Sequence, residues 1–384
     1  MARLGQTRAG EIQPLLERLT AVAKTPLNEI AAQLHCLLKP AALAHDAGLL
    51  PDSEVRELVR YADYVLNRLP QVFGPRFHFD AVQIAAIAED VGRARFSGML
   101  IPRYEQDWGH ESVMMPAENG NSHIIDLVLI PGDDSVKHIN LLSYPWLGHE
   151  LAHNLLFRHD TPFSGDLTRE LEKVVQRLKI SGIADRGAAQ AKATRLVEQF
   201  IQFWTPTPDH KNWAHEIAAD CVALWIFGPA YMASFEDLLD DPSLNPYELT
   251  QSHPPYSVRA NAIVEGARVL NWNDSRIQKA VAGWPASKWR DAKSNRIRSL
   301  ASSELTDACV NAAFGTCQSL GLARCTPERL DEILRSHRAG HTPEFGVDLV
   351  LEAYVTFEKH GEQAYLQWQE NVLQALAETI TVTL

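Results

Sequence analysis

The 384-residue chain carries 36 basic against 48 acidic residues, a formal net charge of -12, and 46% of it is hydrophobic. Such a chain can bury a substantial core, so it is globular and not disordered, and its acidic balance argues against the basic footprint that a nucleic-acid partner requires. No apolar run reaches the roughly 18 to 20 residues of a membrane helix, Met1 to Pro14 holds charge without an apolar signal region, and the five cysteines form no CxxC pair. A cytoplasmic location with reduced thiols and no membrane partner is the expectation.

The first seventy residues read as helices. Ile12, Leu15, Leu16, Leu19 and Val22 follow the i, i+3, i+4, i+7 rule, and Val55 to Leu69 repeats it, with Ser53 as a candidate cap. Four short segments rich in β-branched and aromatic residues follow, broken by Gly, Pro and Asn: Phe77 to Ile87, Arg95 to Tyr104, Glu111 to Met115 and Ser122 to Ile130. They predict a small sheet of three to five strands. Pro131 to Asp134 reads as a turn, and nearly everything beyond it is helical again. Late in the chain Val347, Val350, Leu351, Tyr354 and Phe357 form one apolar stripe, and Tyr365, Trp368, Val372 and Leu376 form another; core packing explains both. The expected fold class is α+β, mostly α-helical with one small mixed sheet, in three parts: an N-terminal helical region 1–70, a central part 71–270 and a C-terminal helical region 271–384.

The segment Ser143 to Arg158, SYPWLGHELAHNLLFR, predicts a buried helix, with Ser143 as a possible N-cap and Pro145 in the first turn. His149 and His153 are four apart, so both imidazoles leave one face of the helix, close enough to hold a single Zn²⁺. Glu150 lies about 100° round the helix, where a carboxylate can act as general base on a water without ligating the metal. The plain alternative is two core histidines and a glutamate at a helix edge.

A catalytic zinc takes three protein ligands. Asn212 to Phe227, NWAHEIAADCVALWIF, is another apolar helix with Glu216 and Asp220 one turn apart. Carboxylates in such a setting must be paired or bind metal. Glu216 is the favoured third ligand, and Asp220 could accept the outer N–H of a ligating histidine and fix its tautomer. His159, six residues after His153, is the rival, at the position where HExxHxxGxxH has its third histidine; Leu156 stands where that pattern needs glycine. His215 points about 100° away from Glu216. Further on, SHPPYSVRANAI places His253 in a proline-held loop and Arg259 at the start of a helix, a pair that could stabilise an oxyanion or could be a plain surface loop.

Three ordered motifs, His149-Glu150-x-x-His153, then Glu216-x-x-Ala219-Asp220, then Ser252-His253-Pro254 with Arg259, resemble those of the M48-type gluzincin peptidases. The resemblance spans roughly Ser122 to Arg268. It implies a zincin-like fold in which an edge strand takes up an extended peptide or protein substrate beside the HExxH helix. It also implies His149, His153 and Glu216 as zinc ligands, Glu150 as base, Asp220 supporting a ligand histidine, and His253 and Arg259 assisting substrate or the transition state. The expected function is therefore zinc-dependent peptide hydrolysis. The alternatives are a catalytically silent zincin-like binding module and a zinc hydrolase of non-peptide amides or esters. The family's best-known members carry transmembrane helices, and no such segment is present in this sequence.

Overall fold

A computed structural model describes residues 28–49, 51–69, 74–92, 99–116, 122–133, 135, 137, 139–158, 160–181, 186–199, 204, 213–239, 248, 253–284, 301–338 and 343–383. The helix expected over Ile12 to Val22, His159 and Ser252 lie outside them. Among the described residues the protein is mostly helical with one small mixed three-stranded sheet. Helices α1 (Asn28–Asp46), α2 (Asp52–Arg68) and α3 (Pro75–Gly92) lead into strands β1 (Met99–Glu105), β2 (Gly109–Pro116) and β3 (Ser122–Pro131).

The sheet order is β1-β3-β2, with β1 parallel and β2 antiparallel to β3. Alternation along β3 divides its side chains between two cores. Ile125 and Leu127 pack with α1 and α2, whereas Val128 and Ile130 join a larger core that extends from Phe79 to Leu376. Gly132, at φ 107°, turns the chain away after β3 and donates its N–H to Glu105 O at 3.0 Å.

Phe77 to Ile87, expected as a strand, lies inside α3. Its aromatic and β-branched content suggested a strand, but the buried positions Phe77, Asp80, Ile84, Ile87 and Val91 recur every three or four residues, and Pro75 occupies the first helical position. Two expected caps also differ. Helix α2 is preceded by Pro51 without a side-chain cap, and Ser53 sits inside it. Ser143 ends a short 3₁₀ turn, Leu141–Ser143, where its Oγ donates to Asn140 O at 2.7 Å. The turn is capped by Asn140, whose side chain accepts from Leu142 N.

Helix α4 (Pro145–Arg158) follows, then α5 (Asp160–Ser181), α6 (Arg186–Gln199), α7 (Trp213–Phe227), α8 (Pro229–Leu239), α9 (Tyr256–Val269), α10 (Asp274–Ala280), α11 (Ser303–Leu320), α12 (Pro327–Arg338), α13 (Val347–His360) and α14 (Glu362–Thr383). Arg259, expected to begin its helix, is the fourth residue of α9, which starts after Pro255. Most residues of both late stripes are buried, at Val347, Val350, Leu351, Tyr354, Tyr365, Val372 and Leu376.

Two polar networks fix the entrance to α4. Asp80 of α3 accepts from the hydroxyl of Tyr144, from Tyr104 Oη at 3.0 Å and from Arg76 Nε at 3.3 Å. Gln369 of α14 donates to Ile139 O at 3.0 Å and accepts from Leu141 N at 2.9 Å, and Tyr365 Oη donates to Asn140 Oδ1 at 2.8 Å. No described helix is long and apolar enough to cross a membrane. All five cysteines are free thiols, Cys36 exposed and the other four buried.

Candidate metal centre

Helices α4 and α7 approach closely because Gly148 has no side chain: a Cβ there would lie 2.8 Å from the Phe227 ring and 3.2 Å from Ala223 Cα. That contact sets the histidine face of α4 against the carboxylate face of α7. His149 Nε2 and His153 Nε2 stand 3.1 Å apart, His149 Nε2 is 3.5 Å from Glu216 Oε2, and His153 Nε2 is 3.6 Å from Glu216 Oε1. The three side chains each offer one ligand atom within a 4.8 Å span.

The donor set fits a metal ion. Tetrahedral bonds of about 2.0–2.2 Å place ligand atoms about 3.3–3.6 Å apart; each histidine nitrogen lies in that range from one Glu216 oxygen, and the two histidine nitrogens are closer, at 3.1 Å. Glu216 Oε1 is buried and has no hydrogen-bond partner among the described residues, and a buried carboxylate oxygen left in that state is costly unless a cation meets it. Among the described residues this is the one group of three or more His, Cys, Asp or Glu side chains with ligand atoms so disposed.

Behind the triangle lies a second layer of bonds. His149 Nδ1 is 2.9 Å from Asp220 Oδ1, and because a carboxylate only accepts, Nδ1 carries a hydrogen, while Nε2 faces Glu216 and His153. Arg259 donates to Asp220 through Nε at 2.8 Å and Nη2 at 2.6 Å, and Tyr231 Oη donates to Asp220 Oδ1 at 2.5 Å. The Arg259 guanidinium lies 5.7 Å from the Trp146 ring and 5.4 Å from that of Phe235, and Trp146 meets His149 edge-on at 5.6 Å.

Charge in this buried layer is set by competition. Burial alone would raise the Asp220 carboxyl, but the Arg259 guanidinium overrides it and holds Asp220 below its ordinary range. Burial likewise opposes ionisation of Glu216, and the neighbouring His153 and His149 hold it well below the usual carboxylate range. For His149 burial disfavours the cation, while the bonds to Asp220 and Glu216 outweigh it and raise the imidazole to about 9. Burial and the Asp220 charge keep the Tyr231 phenol well above its usual range, so it stays a donor.

The fold thus brings together His149, His153, Glu216 and Asp220, and Glu150, the residue after His149 on α4, is buried. His253 reaches the rim: its Nε2 is 3.7 Å from Glu216 Oε1 and its side chain is 52% exposed. Arg259 stands behind the His149 imidazole, 4% exposed, with its bonds directed to Asp220. His215 turns toward the Phe163 ring, 5.7 Å away. Gly148, Tyr231 and Trp146 were not singled out in the sequence. A glycine within a buried helix is a signal for close packing, but the roles of Tyr231 and Trp146 depend on contacts between helices that no spacing reveals. Comparison with known protein families, curated proteins and solved structures finds no match for this chain.

Proposed function

We propose that the chain is a zinc-dependent peptidase of gluzincin type, built on a zincin-like core, hydrolysing peptide bonds with His149, His153 and Glu216 as metal ligands and Glu150 as general base. One observation carries the reading: His149, His153 and Glu216 each offer one ligand atom within a 4.8 Å span, and the outer nitrogen of His149 is bonded to a carboxylate. A zinc ion there would supply Lewis-acid polarisation of the scissile carbonyl and lower the pKa of a water to about 7.

The protein's own groups do the rest. The Glu150 carboxylate takes a proton from the attacking water and returns it to the leaving amine. Asp220 keeps the His149 Nδ1–H in place, and Arg259 and Tyr231 act through Asp220 as positioning residues. His253, half-exposed next to Glu216, is close enough to the cleft to steady the developing oxyanion. The outer edge of β2 has no strand partner among the described residues, which suits an extended peptide as substrate. Free cysteines and the lack of a spanning helix among the described residues agree with a cytoplasmic setting.

The test combines metal content with a peptide-library cleavage assay. About one zinc per chain is expected, with cleavage that Glu150→Gln abolishes while the zinc stays bound. A chain that neither holds nor takes up zinc overturns the proposal, as does a Glu150→Gln variant within about tenfold of wild-type turnover.

A further inference from the structure

A second cleft, of about 1070 Å³, lies between α5, α11 and the end of α9. It has the capacity of a small-molecule site, and no residue of the candidate metal centre lines it. Its charges are unusual for this protein. On a chain with net charge -12, Arg177 and Arg324 both line the cleft and neither has a carboxylate at ion-pair distance among the described residues. The third cation, Lys173, is already paired with Glu170.

Arg324 is also held in place. One of its terminal nitrogens donates to Leu270 O, its guanidinium lies 5.3 Å from the Trp225 ring, and its Nε is buried with no hydrogen-bond partner among the described residues. Trp225 is itself fixed, by its Nε1 donating to Leu322 O at 3.1 Å and by the Phe314 ring at 5.7 Å. A guanidinium held on an aromatic ring is already in position to bind an oxyanion, so little rotamer freedom is lost when one arrives. On α11, Asn311 and Gln318 lie two turns apart on the cleft side, and their amides have no hydrogen-bond partner among the described residues. An ordinary solvated groove has mobile cations on its rim; this one has a cation locked at its wall beside apolar Leu270 and Phe314.

We propose that this cleft binds an organic anion, a carboxylate or a phosphate carried on a small apolar body, with Arg324 and Arg177 taking the anion and Leu270 and Phe314 meeting the apolar part. The proposal is independent of the metal centre and of any hydrolytic activity.

Titration calorimetry on the full chain tests it with four probes: phenyl phosphate, benzoate, phenol and inorganic phosphate. At least one of the two aromatic anions is expected to bind at least about tenfold more tightly than phenol and than inorganic phosphate. Whichever binds better identifies the anion class. Arg177→Glu, at an exposed position, should weaken that binding at least about tenfold without moving the thermal midpoint, and Arg324→Gln should weaken it similarly. Equal binding of phenol overturns the anion assignment, and equal binding of inorganic phosphate overturns the apolar one. No millimolar binding of either aromatic anion, or unchanged binding in Arg177→Glu, overturns the site.

Discussion

Arg259 holds Asp220 with two nitrogens, at 2.8 and 2.6 Å, in a layer where both side chains are almost fully buried. The planar guanidinium matches the carboxylate in a way a lysine ammonium cannot. Arg259→Lys should therefore lower metal affinity by about 10- to 100-fold, because Asp220 loses its fixed orientation and His149 its tautomer lock. Competition with a chelator of known affinity measures this. Wild-type affinity in the variant would mean that the pair serves packing alone.

Glu216→Ala should remove most zinc affinity, since it takes away one of three ligand atoms and leaves two histidines facing each other. His159→Ala should leave affinity unchanged. The reverse pattern, read by the same chelator competition, would move the third ligand to His159.

Gly148→Val should separate α4 from α7. Its side chain would enter the space of the Phe227 ring and Ala223 Cα, contacts already at 2.8 and 3.2 Å for a single Cβ. Overpacking of this kind costs about 1–3 kcal/mol, and the ligand triangle, which spans the two helices, should weaken with it. Thermal unfolding and zinc affinity should fall together; a variant as stable as wild type would contradict the tight crossing.

Asp80 gives a pH signature away from the candidate metal centre. Burial raises its carboxyl to about 6, against the lowering bonds from Tyr144, Arg76 and Tyr104. With the folded value above the unfolded one, this group favours folding below about pH 4, and that contribution is lost as pH rises through about 6. The rise from 3.8 to about 6 corresponds to about 3 kcal/mol. Relative to Asp80→Asn, the wild type should lose up to about that much stability between pH 4 and pH 7 in urea unfolding, and a flat difference would refute the raised value.

The histidine helix and the Glu216–Asp220 helix were legible in the sequence because i, i+4 spacing and carboxylates among apolar neighbours are local signals, and both helices appear with those faces together. Three of the four expected strands appear, with Arg95 to Gly98 of one outside the described residues. Composition misled at Phe77 to Ile87, where aromatic and β-branched residues outweighed a period of three to four. The caps at Ser53 and Ser143 were misplaced because a proline and a 3₁₀ turn begin those helices instead. The bonding of Arg259 and Tyr231 to Asp220 was beyond reach, since 39 and 11 residues of chain separate the partners and only the packed helices bring them together.

Gln369 reaches back 228 residues to the peptide groups just ahead of the histidine helix. On the ribosome, α4 and α7 emerge long before it. Until α14 is released, Leu141 N and Ile139 O must be satisfied by water, and the approach to the candidate centre lacks its clamp. A chain shortened before Tyr365 would stay permanently in that state, with every candidate ligand residue present and the segment leading into them unanchored.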